Sequence, residues 1–177
     1  MDERQPRIAV GLDRSPAAHV ALTWAVRLAS VWHATVLVVT AWPDADRAVA
    51  RAVGALPSGR RRLHRMQRDA IAAAGSGLHP LPLVVREIVF AEPEVALCHA
   101  GNGADLLVIG ASRPQPVPLA AVLLDKLAAQ RALRGSAARL VVIPADSSPD
   151  GSPTACGPTT TGPATTGAER VALGAAV

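Results

Sequence analysis

Ala104-Asp-Leu-Leu-Val-Ile-Gly-Ala-Ser-Arg113 is the stretch that decides the fold of this chain. An acid, Asp105, is followed by four bulky apolar residues, two of them β-branched, and then by Gly110 and a short polar turn. Such a run has no polar face. It reads as a strand covered on both sides, which requires a parallel sheet with helices above and below. Open sheets of this kind bind ligands in the loops that leave the carboxyl ends of their strands. The residues after Ile109 therefore carry most of the functional information.

The same pattern recurs on either side. Arg7 to Leu12 is a short apolar strand ending at Asp13, and Ser15-Pro16 supplies a hydroxyl cap with proline at the first helical position. Ala21, Ala25, Leu28 and Trp32 follow at helical spacing and predict the face laid on the sheet. Ala34 to Thr40 is a second buried strand. Asp44 to Gly75 reads as two helices broken at Gly54 to Gly59, the second with Leu63, Met66, Ala70 and Ala73 inward and Arg61, Arg65 and Arg68 outward. Leu83 to Phe90 is a third strand, and Pro93 opens a helix to His99. The strand Asp105 to Ile109 comes next, then a helix from about Pro118 to Arg134 carrying Leu119, Leu123 and Leu127. Arg139 to Ile143 is the last strand.

Strands alternating with helices, joined by right-handed crossovers, give an α/β fold: a three-layer α/β/α arrangement on an open five-stranded parallel sheet in the order 3-2-1-4-5. The direction of winding reverses between the first and fourth strands. That reversal is expected to bring Asp13 and Gly110 to one crevice.

Composition sets the remaining bounds. The chain is 50% hydrophobic but only 2% aromatic, so the core must be built from Ala, Val and Leu. Its 177 residues accommodate one domain, residues 1–144, and a remainder, 145–177, rich in Ser, Thr, Pro, Gly and Ala. That remainder buries too little apolar surface to offset chain entropy and is expected to be disordered. The start of the chain lacks a basic-then-apolar signal pattern, and no apolar run approaches the ~20 residues of a membrane span. Cys98 and Cys156 form no metal or redox spacing. A cytoplasmic protein with no membrane partner is the resulting expectation.

No catalytic constellation assembles from the sequence. His19, His33, His64, His79 and His99 have no carboxylate or cysteine at ligand spacing. Ser112 has no identifiable base, and neither a nucleophile elbow nor a P-loop lysine is present. The net charge of +4 owes much to Arg60-Arg61-Arg62, Arg65 and Arg68. No aromatic is interleaved with these arginines for stacking on bases, so a solvated helix face is the simpler reading and nucleic acid the weaker one.

Taken in order, several segments resemble the universal stress protein family, from Arg7 to Pro144. Ile8-Ala-Val-Gly-Leu-Asp13-Arg-Ser15 is similar to that family's opening strand and turn. Ala21-Leu-Thr-Trp-Ala25, Glu92-Pro93-Glu-Val, Ala104 to Gly110, and Ala132-Leu-Arg134 with Arg139 to Ile143 resemble its later elements. The resemblance implies the adenine-nucleotide α-hydrolase-like sheet order and a homodimer paired through Arg139 to Ile143. It also implies nucleotide contacts at Asp13, Gly110, Ala111, Ser112 and Arg113, with ATP as the cofactor if there is one.

Members that bind ATP carry Gly, two residues, Gly, nine residues, then Gly-Ser or Gly-Thr, so that bare backbone N–H groups face the phosphates. Here Gly110 is kept, but Arg113 takes the second glycine's place and Leu123-Leu124 stand where Gly-Ser belongs. A small insertion shifts these positions to Asp125-Lys126. The loop Pro114-Gln-Pro-Val-Pro118 lacks several N–H donors. The implied function is a non-enzymatic stress-response or regulatory module whose degenerate pocket binds ATP weakly or not at all. An ATP-binding switch or slow ATPase is one alternative, and nucleic-acid binding through the Arg60 to Arg68 helix is another. Asp13 has a competing job as the cap of the turn before Ser15, and Gly110 one as a turn former.

Overall fold

The computed structural model describes residues 4–111, 118–134 and 138–145. The elements are β1 (Arg7–Gly11), α1 (Pro16–Trp32), β2 (Thr35–Ala41), α2 (Asp44–Ala52), α3 (Leu56–Ala74), β3 (Val84–Val89), α4 (Pro93–Gly101), β4 (Leu106–Ala111), α5 (Pro118–Arg134) and β5 (Arg139–Pro144). The strands form one five-stranded sheet in the order β3-β2-β1-β4-β5, every neighbouring pair parallel. This is the expected topology, with the reversal between β1 and β4. The expectation of a disordered tail falls on residues 146–177, outside the described residues.

Side-chain alternation along the strands divides the core in two. Ile8, Val10, Val36, Val38, Leu106 and Val108 point to the face covered by α1 and α3. Ala9, Leu37, Val39, Leu107 and Ile109 point to the face covered by α4 and α5. The central strands therefore have no polar side, which is why their sequences read as unbroken apolar runs. The alanines have a use here. Helix α1 buries Ala17, Ala18, Ala21, Ala25 and Ala29, whose short side chains let its backbone lie close to the sheet.

The structure corrects four details of the sequence reading. Trp32, expected on the packed face of α1, is exposed at the helix's last residue, beyond Ala29, the last buried position of that face. Helix α1 stops one residue later, where His33 adopts a left-handed conformation at φ 52°. In α3, Ala73 is exposed, and the fully buried residue on that helix is Gln67. Helix α3 also begins at Leu56, inside the expected break, since Pro57 fits its first turn. Finally, β4 continues past Ile109. Gly110 and Ala111 are strand residues paired with Ile143 and Pro144, and not the start of a turn.

Candidate functional site

The carboxyl end of β1 is fixed by two hydrogen bonds to β2, which α3 supports from behind. The Leu12 N–H donates to the Val39 carbonyl at 2.8 Å, and the Thr40 hydroxyl donates to the Leu12 carbonyl at 3.0 Å. The Gln67 Nε2 donates in turn to Thr40 Oγ1 at 3.0 Å and to the Glu87 carbonyl at 2.8 Å. Helix α3 is thereby tied to β2 and β3, and through Thr40 to the β1 exit. Nothing in the sequence periodicity marks Gln67 for this, because a lone glutamine on an arginine-rich helix reads as surface.

Asp13 follows directly and is exposed. Its Oδ1 accepts the Ser15 N–H at 2.7 Å, and Ser15 Oγ accepts the Ala18 N–H at 3.1 Å. Each oxygen satisfies a donor that the turn or the helix start would leave open. The carboxylate is thus engaged in the capping job that competed with the ligand role.

Asp13 and Gly110 do meet at one crevice. Gly11, Asp13, Val39, Leu97, Gly110 and Leu119 are among the residues lining a cleft of about 130 Å³ between the β1 and β4 exits. Among the described residues, Asp13 is the one ionisable side chain on its walls. Pro93 and Leu97 of α4 form a wall that the sequence reading noted as a helix start but not as part of the site. Ala111 sits half-buried at the end of β4, its carbonyl accepting the Ala145 N–H at 3.1 Å. Ser112 and Arg113 lie outside the described residues.

Two glycines of the crevice differ in what a side chain there would meet. At Gly11, an added Cβ comes within 2.9 Å of Leu97 Cδ2, the end of a flexible side chain. At Gly110, the same atom would fall on the Ala17 carbonyl and the Ala18 nitrogen, which are backbone. Gly110 is a close-approach residue, and the backbone that approaches is the first turn of α1.

The positions expected to hold the phosphate-binding Gly-Ser pair fall inside a helix. Pro118 opens α5, and Leu123 is already a fully buried core residue within it. Asp125 and Lys126 lie farther along the same helix. Backbone N–H groups in a helix interior bond to carbonyls one turn back, so none at these positions is available to an anion.

Among the described residues no group of three or more His, Cys, Asp or Glu side chains could hold a metal ion. Cys98 is buried on α4, and burial pushes its thiol up, with Lys126 pulling it back and Glu94 raising it. Since the thiolate is the reactive form, Cys98 in a Cys156→Ser protein is expected to resist a thiol reagent at neutral pH and to react at once in urea. Rapid reaction of the native protein would show that α4 opens readily.

An open parallel α/β sheet in the order 3-2-1-4-5, with a cleft at the topological switch point, is a doubly wound, Rossmann-like fold. The universal stress protein family profile matches residues 6–142, and the chain belongs to that family. Among solved structures, a universal stress protein UspA from Lactobacillus plantarum is similar at 20% identity and a TM-score of 0.56, over 80% of this chain and 99% of that one. A universal stress protein crystallised in complex with cAMP is similar at 22% identity and a TM-score of 0.50, over 80% and 98% of the two chains. No curated protein matches the chain significantly. Among the described residues no helix is long and apolar enough to cross a membrane.

Proposed function

We propose that the chain is a non-catalytic stress-response or regulatory module whose nucleotide crevice is degenerate, holding ATP weakly or not at all. The size of the cleft carries this reading. At about 130 Å³ it is well below the ~300–1,000 Å³ of ordinary small-molecule sites. Leu123, Asp125 and Lys126 inside α5 support it, because they replace the free backbone donors that a triphosphate needs. A relative's complex with cAMP favours a second reading, in which a smaller nucleotide is the ligand of the crevice. Native mass spectrometry of the freshly purified protein separates the two. The first predicts no bound nucleotide, and a stoichiometric adduct with the mass of cAMP or ATP overturns it.

The module is proposed to work as a homodimer paired through β5. That strand lies at the edge of the sheet, with Leu140, Val141 and Val142 only half-buried. An edge strand with unpaired backbone groups and apolar side chains needs cover. Light scattering of the full chain at micromolar concentration is expected to give twice the monomer mass. A monomer there contradicts the pairing.

A further inference from the structure

We propose that the two copies of the β5 dimer meet in a single antiparallel register, with the two-fold axis passing at Val141. This rests on the homodimer proposed above and says how its halves fit. The backbone of β5 is half used. The Arg139 N–H donates to the Asp105 carbonyl at 3.0 Å and the Ala145 N–H to the Ala111 carbonyl at 3.1 Å, so the odd-numbered residues turn toward β4. Backbone groups alternate along a strand, and Leu140, Val142 and Pro144 therefore point theirs at the free edge. Leu140 and Val142 each offer an N–H and a carbonyl there, whereas Pro144 offers a carbonyl alone.

Those groups admit few pairings with a copy of themselves. A two-fold axis perpendicular to the sheet sets one residue opposite its own twin. With Val141 on the axis, Leu140 faces Val142 of the other copy, and each such pair exchanges both hydrogen bonds. The paired residues then run from Arg139 to Ile143, and Pro144 falls beyond them. With Val142 on the axis, Leu140 faces Pro144, which has no N–H to return. With Leu140 on the axis, only Arg139 to Val141 are paired within the strand. No charge meets its like in the Val141 register, because Arg139 faces Ile143. The opposite edge of the sheet is built against such pairing. The middle residues of β3 are Arg86 and Glu87, and an axis at either sets like charge against like. One edge accepts a second copy and the other repels it.

Single cysteines test the register, since only a residue on the axis lies opposite its twin. Val141 would occupy a non-hydrogen-bonded position, where opposed Cα atoms stand ~4.5 Å apart, within disulfide reach. Leu140 and Val142 would meet their twins only diagonally, at ~7–8 Å, beyond that reach. Cys156→Ser is the background, as Cys98 is buried. Leu140→Cys, Val141→Cys and Val142→Cys, each made in that background, are mildly oxidised as full chains at micromolar concentration and resolved on non-reducing gels. Circular dichroism melts establish that each is folded. Val141→Cys is expected to become mostly covalent dimer, while the other two and the background stay mostly monomeric on the gel. Light scattering of the background protein separates two failures. A dimer in which Leu140→Cys or Val142→Cys crosslinks best, all three crosslink equally or none does overturns the register and leaves the dimer standing. A monomer overturns both.

Discussion

Gly110→Ala is expected to cost about 3 kcal/mol of stability, at the upper end of what overpacking a single methyl causes. The methyl would fall on the Ala17 carbonyl and the Ala18 nitrogen. Neither can step aside alone: Ala17 and Ala18 are fully packed, and Ser15 Oγ anchors the Ala18 N–H. Relief requires moving the start of α1 or bending the end of β4, whose Gly110 is paired with Ile143. Gly11→Ala is the control, since only the Leu97 side chain must rotate there, and it should cost ~1 kcal/mol or less. Urea unfolding of both variants checks the contrast. Equal losses at the two sites would mean that α1 does not press on β4 as described.

Gln67→Glu is expected to be comparably damaging, and its effect should depend on pH. Gln67 is fully buried, and its Nε2 donates to the Glu87 carbonyl and to Thr40 Oγ1. A carboxylate would bring a negative oxygen against that carbonyl, in a place where the native Oε1 already has no hydrogen-bond partner. Burying an unpaired charge costs ~3 kcal/mol or more. Burial raises the pKa of such a group above the ~4.3 of an unfolded glutamate. The sign follows. The charge penalty is absent below the unfolded value, grows as pH rises toward the folded value, and is constant above it. Unfolding measured at neutral and at mildly acidic pH should therefore find the variant closer to wild type in acid. A deficit of the same size at both pH values would show that lost packing, and not buried charge, is responsible.

The fold was legible because this sheet is buried on both faces. Leu106 to Ile109, Ile8 to Val10 and Val36 to Val39 carry no polar residue, and an unbroken apolar run bounded by turn residues has few other readings. The edges were less legible. β3 has no buried residue, only half-buried and exposed ones, so nothing in its sequence marks where it stops, and limits of Leu83 and Phe90 are a residue too wide at each end. Gly110 reads equally as a close-approach residue and as a turn former, because a glycine after a strand fits both until its neighbours in space are known. Gln67 was invisible for the same reason. Its partners lie 20 or more residues away along the chain, and no periodicity reports such contacts. The crevice itself followed from topology, since Asp13 and Gly110 had to meet wherever the winding reversed.

Thermal melting of the full chain with and without millimolar Mg-ATP tests the degenerate crevice most directly. A ligand that binds only the native state raises its stability by RT ln(1 + L/Kd), where L is the free ligand concentration. The cramped cleft and the phosphate positions lost within α5 predict a midpoint unchanged to within about 1 °C. A rise of several degrees, repeated with a non-hydrolysable analogue, would mean that a triphosphate finds its donors after all.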